Sequence, residues 1–367
     1  MKSIKSRGVR VLIAVGVGAI AVLAPHNSVT RAQLPPVPAK VTPEKPDNIR
    51  SGGDSWNQAH VVRSFKGQLS TPNSLIFSPD GRYVISGGSL TDPILRVWLV
   101  DNENPVAAIR AQRTTVQTLL ISPDGRTLVS SGDDGAINGW DWTTGEYLGL
   151  SLTHGSKVLA LASTPDGGVL ISGGLDGIRI WDMKVRRPIY RLAWIGNAVY
   201  ALAVKSDGVT LAAGENDGKV KYWNIRQGKL LSEFSPHKEA VTALLYTRDG
   251  QKLITGSVDR TIKIWDAGTN RLLYTLKGHS ARIRSMVLHP DGQTLASASD
   301  DGIRLWNIST GKLINHLGSL GDWVESLDFS PNGQYLVSGG YNSSVLLWQY
   351  GPGPAPGSSP TPVSSQP

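Results

Sequence analysis

Residues 241–276 read VTALLYTRDGQKLITGSVDRTIKIWDAGTNRLLYTL, and two turn signals and a charged break divide them into four short extended runs. The first, Val241 to Tyr246, is apolar and rich in strand-forming residues. Asp249-Gly250 follows; such a dipeptide supplies the positive φ of a tight hairpin turn and joins two antiparallel strands, so Lys252 to Thr255 is read as the second. Thr261 to Trp265 forms a third strand carrying a tryptophan, and Leu272 to Leu276 a fourth after a polar turn.

Moving outward, the same unit recurs. Trp98, Trp140, Trp181, Trp223, Trp265, Trp306 and Trp348 stand at intervals of 42, 41, 42, 42, 41 and 42 residues. That period matches the roughly 40–45 residues of one four-stranded propeller blade. The turn keeps register as SPDG, SPDG, TPDG, KSDG, TRDG, HPDG and SPNG. An aspartate precedes the tryptophan by six residues at Asp92, Asp134, Asp217 and Asp259, and by five at Asp176 and Asp301. The latter two repeats carry the 41-residue intervals, so one deletion in that turn explains both irregularities. Asn342 takes the place in the seventh repeat.

The pattern resembles the WD-repeat β-propeller family over residues 59–350. Asp141, Asp182 and Asp266 follow the tryptophan in three repeats, Asn224, Asn307, Gln349 and Leu99 in the others, and one Gly-His pair remains at Gly278-His279. The resemblance implies an all-β, seven-bladed propeller. It also implies a ring closed by an N-terminal strand, since the seventh repeat stops at Trp348-Gln349-Tyr350 and residues 60–66, HVVRSFK, fit the missing piece.

Three histidines keep register as well. His154, His237 and His279 lie four residues before Val158, Val241 and Ile283, which open blades. In WD repeats such a histidine joins a strand hydroxyl, the turn aspartate and the tryptophan, so the resemblance implies three tetrads. They are His154, Ser172, Asp176 and Trp181; His237, Thr255, Asp259 and Trp265; and His279, Ser297, Asp301 and Trp306. A His-Asp-Ser set can also be read as a catalytic triad, but recurrence at one spacing in three blades is what a scaffold requires.

The chain has 367 residues, with 41 glycines and 22 prolines, and 11 of its 25 aromatic residues are tryptophan. Absence of cysteine excludes disulfides, thiolate catalysis, Cys-ligated zinc and lipid attachment through an N-terminal cysteine. Net charge is +8, but Lys2, Lys5, Arg7, Arg10 and Arg31 lie in an acid-free segment of 32 residues, so the remainder carries only +3. Nucleic acid is therefore not an expected partner.

The first 32 residues read as a cleavable signal peptide. A basic stretch precedes fourteen apolar or glycine residues, Val11 to Ala24, and small residues Thr30 and Ala32 precede a cut ahead of Gln33. Fourteen helical residues span about 21 Å, short of the roughly 20 residues of a membrane crossing, so an uncleaved anchor is the secondary reading. The expected location is periplasmic or secreted, with membrane contact only if the leader is retained. Residues 33–58 are expected to be a proline-rich linker and 351–367 a disordered Pro/Gly/Ser-rich tail.

Other motifs fail on context. The glycine pattern at 16–21 lies inside the leader, and Gly214 to Gly218 with Lys219 continues with Val220 where a phosphate loop needs Ser or Thr. Neither GxSxG nor HExxH is present. No catalytic residue, cofactor or metal is expected. The expected function is a monomeric, non-enzymatic scaffold binding protein or peptide partners. The alternative is a propeller enzyme or small-ligand binder using the central channel; the innermost strands VQTLLI, VLALAS, VYALAV and VTALLY, small and apolar, disfavour it.

The resemblance also places the residues flanking the start of each inner strand, and the residue before the turn aspartate, on one face. The early blades hold mostly neutral residues there, such as Thr71, Asn73, Thr115, Gln117, Ala198 and Ala240. The last two place Arg282, Arg284 and Asp300 beside Trp323, Glu325 and Tyr341. Trp323 stands outside the tryptophan register, and Arg, Trp and Tyr dominate binding energy at interfaces. These six form the expected partner-binding rim.

Overall fold

The computed structural model describes residues 55–192, 197–318 and 323–351. The expected leader and nearly all of the expected tail lie outside the described residues.

Seven four-stranded antiparallel sheets follow one another in chain order. Blades 1 to 6 occupy residues 72–110, 116–153, 158–191, 199–234, 241–276 and 283–317. Blade 5 runs from its inner strand Val241–Tyr246 through Lys252–Ser257 and Ile262–Asp266 to its outer strand Leu272–Leu276. Blade 7 takes three strands from the C-terminal repeat, Val324–Phe329, Tyr335–Gly340 and Val345–Gln349, and its outer strand from His60–Phe65. That closing strand pairs antiparallel with the last one, Phe65 opposite Val345 and His60 opposite Gln349. The inner strands touch their neighbours in an unbroken cycle, blade 7 back to blade 1.

Burial explains why the ring must close. The middle strands are covered on both faces, as in Leu253 and Ile254, successive residues on opposite faces that are both fully buried. The apolar clusters lie between blades: Ile254 and Ile264 of blade 5 pack with Met286, Leu295 and Trp306 of blade 6. No blade can bury its own faces alone, so each depends on the next.

The repeated turns differ in one respect from the hairpin expected. Gly81 N donates to Ser78 O at 2.8 Å, and the seven turn glycines hold φ between +66° and +74°. The preceding aspartate does not share the left-handed conformation. Its carboxylate instead accepts backbone N–H groups two or three residues on, as Asp80 does from Arg82 at 3.1 Å and Asp207 from Thr210 at 2.8 Å. The Asp-Gly pair thus divides two tasks, capping and left-handed backbone.

The expected linker, residues 33–58, reaches too far. Ser55–Gln58 form a 3-10 turn, and Trp56 is fully buried between blades 6 and 7. Its ring meets Phe329 at 5.3 Å, Tyr350 at 5.9 Å and His289 at 6.1 Å. Asn315 of blade 6 donates to its carbonyl at 2.8 Å. Composition marks where proline ends; it does not show that one aromatic anchors the turn.

Candidate functional site

Each histidine set named above is brought together. In blade 3, Trp181 Nε1 donates to Ser172 Oγ at 2.7 Å, His154 Nε2 lies 2.6 Å from the same oxygen, and His154 Nδ1 lies 2.6 Å from Asp176. Blade 5 repeats this with Trp265, Thr255, His237 and Asp259 at 3.1, 2.7 and 2.8 Å. Blade 6 has Trp306, Ser297, His279 and Asp301 at 2.8, 2.7 and 2.6 Å. The carboxylate can only accept, so Nδ1 carries the imidazole proton and donates to it, which leaves Nε2 to accept from the hydroxyl while that hydroxyl accepts from the indole.

Burial pushes all three imidazoles below their ordinary range, although the facing aspartates pull upward. Burial also raises Asp176 and Asp301, but hydrogen bonds from the histidine and from the N–H groups of Gly155 and Ser280 outweigh it and hold both low. A neutral imidazole beside a charged carboxylate follows. The arrangement has the polarity of a triad, yet Ser172, Thr255 and Ser297 are completely buried. A nucleophile there has no path to a substrate.

Sequence reading missed two occupants of the histidine seat. Gln68 accepts from Ser86 Oγ at 2.8 Å in blade 1, and Gln112 donates to Ser130 Oγ at 3.2 Å in blade 2. Both lie four residues before the inner strand, so register, not chemistry, was the signal. Blade 4 carries Ala213 where the others carry a hydroxyl, and Trp223 Nε1 is buried without a partner among the described residues.

The rim residues of blades 6 and 7 converge at one end of the ring. Arg284 is the second residue of the inner strand Ile283–Leu288, and Asp300 follows Thr294–Ser299. Trp323 immediately precedes the inner strand Val324–Phe329 of blade 7, Glu325 is its second residue, and Tyr341 follows Tyr335–Gly340. Arg284 bridges Asp300 and Glu325, one guanidinium nitrogen to each. Its guanidinium carbon lies 5.2 Å from the Trp323 ring, and Trp323 and Tyr341 meet at 5.1 Å.

Exposure separates these groups. Trp323 is 43% and Tyr341 57% exposed, whereas the Arg284 side chain is 9% exposed. Arg284 is thus a strut beneath the aromatic pair and not a free contact, because two carboxylates and an indole face already engage it. Arg282 stands exposed nearby and makes no hydrogen bond or ion pair among the described residues.

A second acid of the blade 7 inner strand, besides Glu325, faces blade 1. Asp328, in the inner strand of blade 7, accepts from Phe77 N of blade 1 at 2.7 Å, while Ser326 Oγ accepts from Leu75 N at 2.9 Å. Both bonds staple the seam where the ring closes. Burial pushes the Asp328 carboxyl up to about 7, with the Phe77 N–H pulling downward. The residue as a whole is half-buried, but protein surrounds the carboxyl, so burial dominates. An ionised Asp328 therefore costs stability increasingly as pH rises from the ordinary carboxylate range, about 4, to about 7. Asp328→Asn keeps a carbonyl acceptor and avoids that cost. It should melt a few degrees above the native protein at pH 8, with the gap closing toward pH 4. The His–Asp pairs act oppositely in both proteins and cancel, so a gap that widens on acidification would contradict this.

Among the described residues no three His, Asp or Glu side chains gather as a metal site.

Comparison with known proteins agrees with the blade count. The family described as WD domain, G-beta repeat matches residues 59–98, 103–141, 147–182, 187–224, 228–266, 270–307 and 310–349. Apoptotic protease-activating factor 1 of Rattus norvegicus is 27% identical over 177 residues, 48% of this chain and 14% of that protein. Periodic tryptophan protein 2 homolog of Schizosaccharomyces pombe is 32% identical over 101 residues, 27% of this chain and 12% of the other. U3 small nucleolar RNA-associated protein 15 homolog of Xenopus laevis is 26% identical over 176 residues, 47% and 34% respectively. The matched part therefore spans about a third or less of each relative's length.

Proposed function

The chain belongs to the WD domain, G-beta repeat family, and from that premise we propose that it is a non-enzymatic scaffold that docks a protein partner on the rim of blades 6 and 7. The carrying observation is the Trp323–Tyr341 pair, two exposed aromatic rings in contact and held over a charged strut. Large aromatic side chains exposed on a rigid support carry binding energy at little entropic cost. The inaccessible hydroxyls of the histidine tetrads support the absence of catalysis.

The test uses the mature protein as bait in an envelope fraction, followed by affinity measurement on the protein recovered. Trp323→Ala with Tyr341→Ala should leave the melting temperature within a few degrees, since both side chains are exposed. Affinity should fall by about 2 kcal/mol or more, roughly 30-fold. Arg284 is left intact, because its loss strands Asp300 and Glu325. Undiminished binding by the folded double variant removes the site from this rim.

In the same reading the scaffold works outside the cytoplasm, in the periplasm or secreted. The order of basic, apolar and small-residue segments in residues 1–32 supports it. N-terminal sequencing of the protein from its native envelope should begin at or near Gln33. An intact Met1 in the cytosolic fraction contradicts export.

A further inference from the structure

The outer wall of blades 3 and 4 collects positive charge. Residues 184–191 read KVRRPIYR, four basic residues and no acid. From the residue after the register tryptophan to the end of the outer strand, these blades span residues 182–191 and 224–234, which together hold six basic residues and two acids. The corresponding stretches of blades 1, 2 and 5, residues 99–110, 141–153 and 266–276, are neutral or acidic, and that of blade 6 carries one lysine. A charge needed to build the blade would recur in all of them, so this excess is local.

The acids nearby do not cancel it. Asp182 accepts the N–H groups of Lys184 and Val185 in its own turn, at 2.8 and 3.0 Å, and Glu233 pairs with Lys219 at 3.1 Å. Hydrogen bonds from Thr164 and Gly168, and then the Arg226 charge, hold the Asp166 carboxyl low. Glu146 opens the outer strand of blade 2, where Arg186 donates to Leu148 O. With Glu146, Asp166 and Lys219 counted, the wall still holds seven basic residues against four acids, an excess as large as that of the whole chain after residue 32.

Aliphatic side chains are exposed among these charges: Val185, Ile189, Leu230 and Leu231 are between 39% and 62% exposed. Ile189 and Leu231 are the extra residues of equivalent bulges in the outer strands Arg187–Arg191 and Lys229–Phe234, and a bulge re-aims a side chain. Their counterparts in blades 5 and 6, Leu273 and Ile314, are half-buried. Tyr190 Oη donates to Ile225 O and ties the two segments into one surface.

We propose that this wall rests on an anionic lipid surface, whether or not residues 1–32 are retained. Lys184, Arg187, Arg226 and Lys229 meet lipid phosphates while Val185, Ile189 and Leu231 enter the headgroup layer, so that charge attraction and apolar burial act together. The core of a protein–protein interface is depleted of charge, whereas here cations and aliphatics alternate along the same segments. Blade 7 lies across the ring from the boundary of blades 3 and 4, so a propeller seated this way leaves the rim of blades 6 and 7 clear.

The chain has no cysteine, so a single one at Ile189 can carry an environment-sensitive bimane. In the full chain its emission should shift to the blue on titration with vesicles of equal parts phosphatidylglycerol and phosphatidylcholine. Phosphatidylcholine alone should give no shift, and about 0.5 M salt should suppress the response. The same label at Leu90, exposed between the second and third strands of blade 1, should not respond. Arg187→Glu with Lys229→Glu should weaken the response at Ile189 by at least about twentyfold, with the melting temperature within a few degrees because both side chains are exposed. No shift with anionic vesicles, an equal shift at Leu90, or a response undiminished by salt or in the folded double variant overturns the proposal. A shift with polyglutamate and none with vesicles assigns the wall to an acidic protein and overturns it as well.

Discussion

A chain beginning at Gly67 should fail to hold the ring, whereas one beginning at Ser55 should melt like the full protein. The shorter form loses the strand His60–Phe65, which supplies the outer edge of blade 7, and with it the buried side chains of Phe65 and Trp56. Truncating one buried tryptophan costs about 3–5 kcal/mol, a large part of the roughly 5–15 kcal/mol that holds a domain together. The strand Val345–Gln349 would also be left with an open, largely apolar edge, a template for aggregation. Thermal melting and light scattering of the two truncations decide it. Equal stability and equal solubility would show that the closing strand is dispensable.

The second large effect belongs to the tryptophan register. Trp265 is buried against Phe234 of blade 4, whose ring lies 5.1 Å away edge-on, and it donates to Thr255. Trp265→Ala leaves a cavity between two blades and should cost about 3–5 kcal/mol by denaturant unfolding. Trp265→Phe retains most of the volume but leaves Thr255 without its donor, so about 1–3 kcal/mol is expected. A cost for Trp265→Ala below about 1 kcal/mol would mean that the register tryptophans do not hold adjacent blades together.

What the sequence made legible was whatever repeats. A tryptophan in the third strand of each blade and a left-handed glycine in the turn after each inner strand are demands that each blade makes anew, so their spacing reports the blade count and the strand order directly. Residues that act once leave no period. Trp56 gave no signal because a single aromatic beyond a proline-rich stretch has nothing to be in register with. Asp328 escaped because it stands once, in the inner strand VESLDF, at a place that the other inner strands fill with Ile76, Leu120, Ala162, Ala203, Leu245 and Val287. Gln68 and Gln112 occupy a position that register identifies, but their chemistry differs from that of histidine. The rim was legible as a set of residues, while the division into an exposed aromatic pair and a buried arginine strut depends on which side chain lies beneath which. Sequence spacing does not encode that.

The proposed partner surface is the face carrying Trp323 and Tyr341 and not the face carrying the aspartate-glycine turns. Photo-cross-linking tests it most directly, with benzoyl-phenylalanine placed either at 341 or at Asp249, an exposed position in a turn on the opposite face. One discrete protein adduct is expected from position 341 in cells carrying the protein, absent from position 249 and lost when Trp323 is changed to alanine. An adduct from position 249 alone, or the same adduct undiminished by Trp323→Ala, would contradict it.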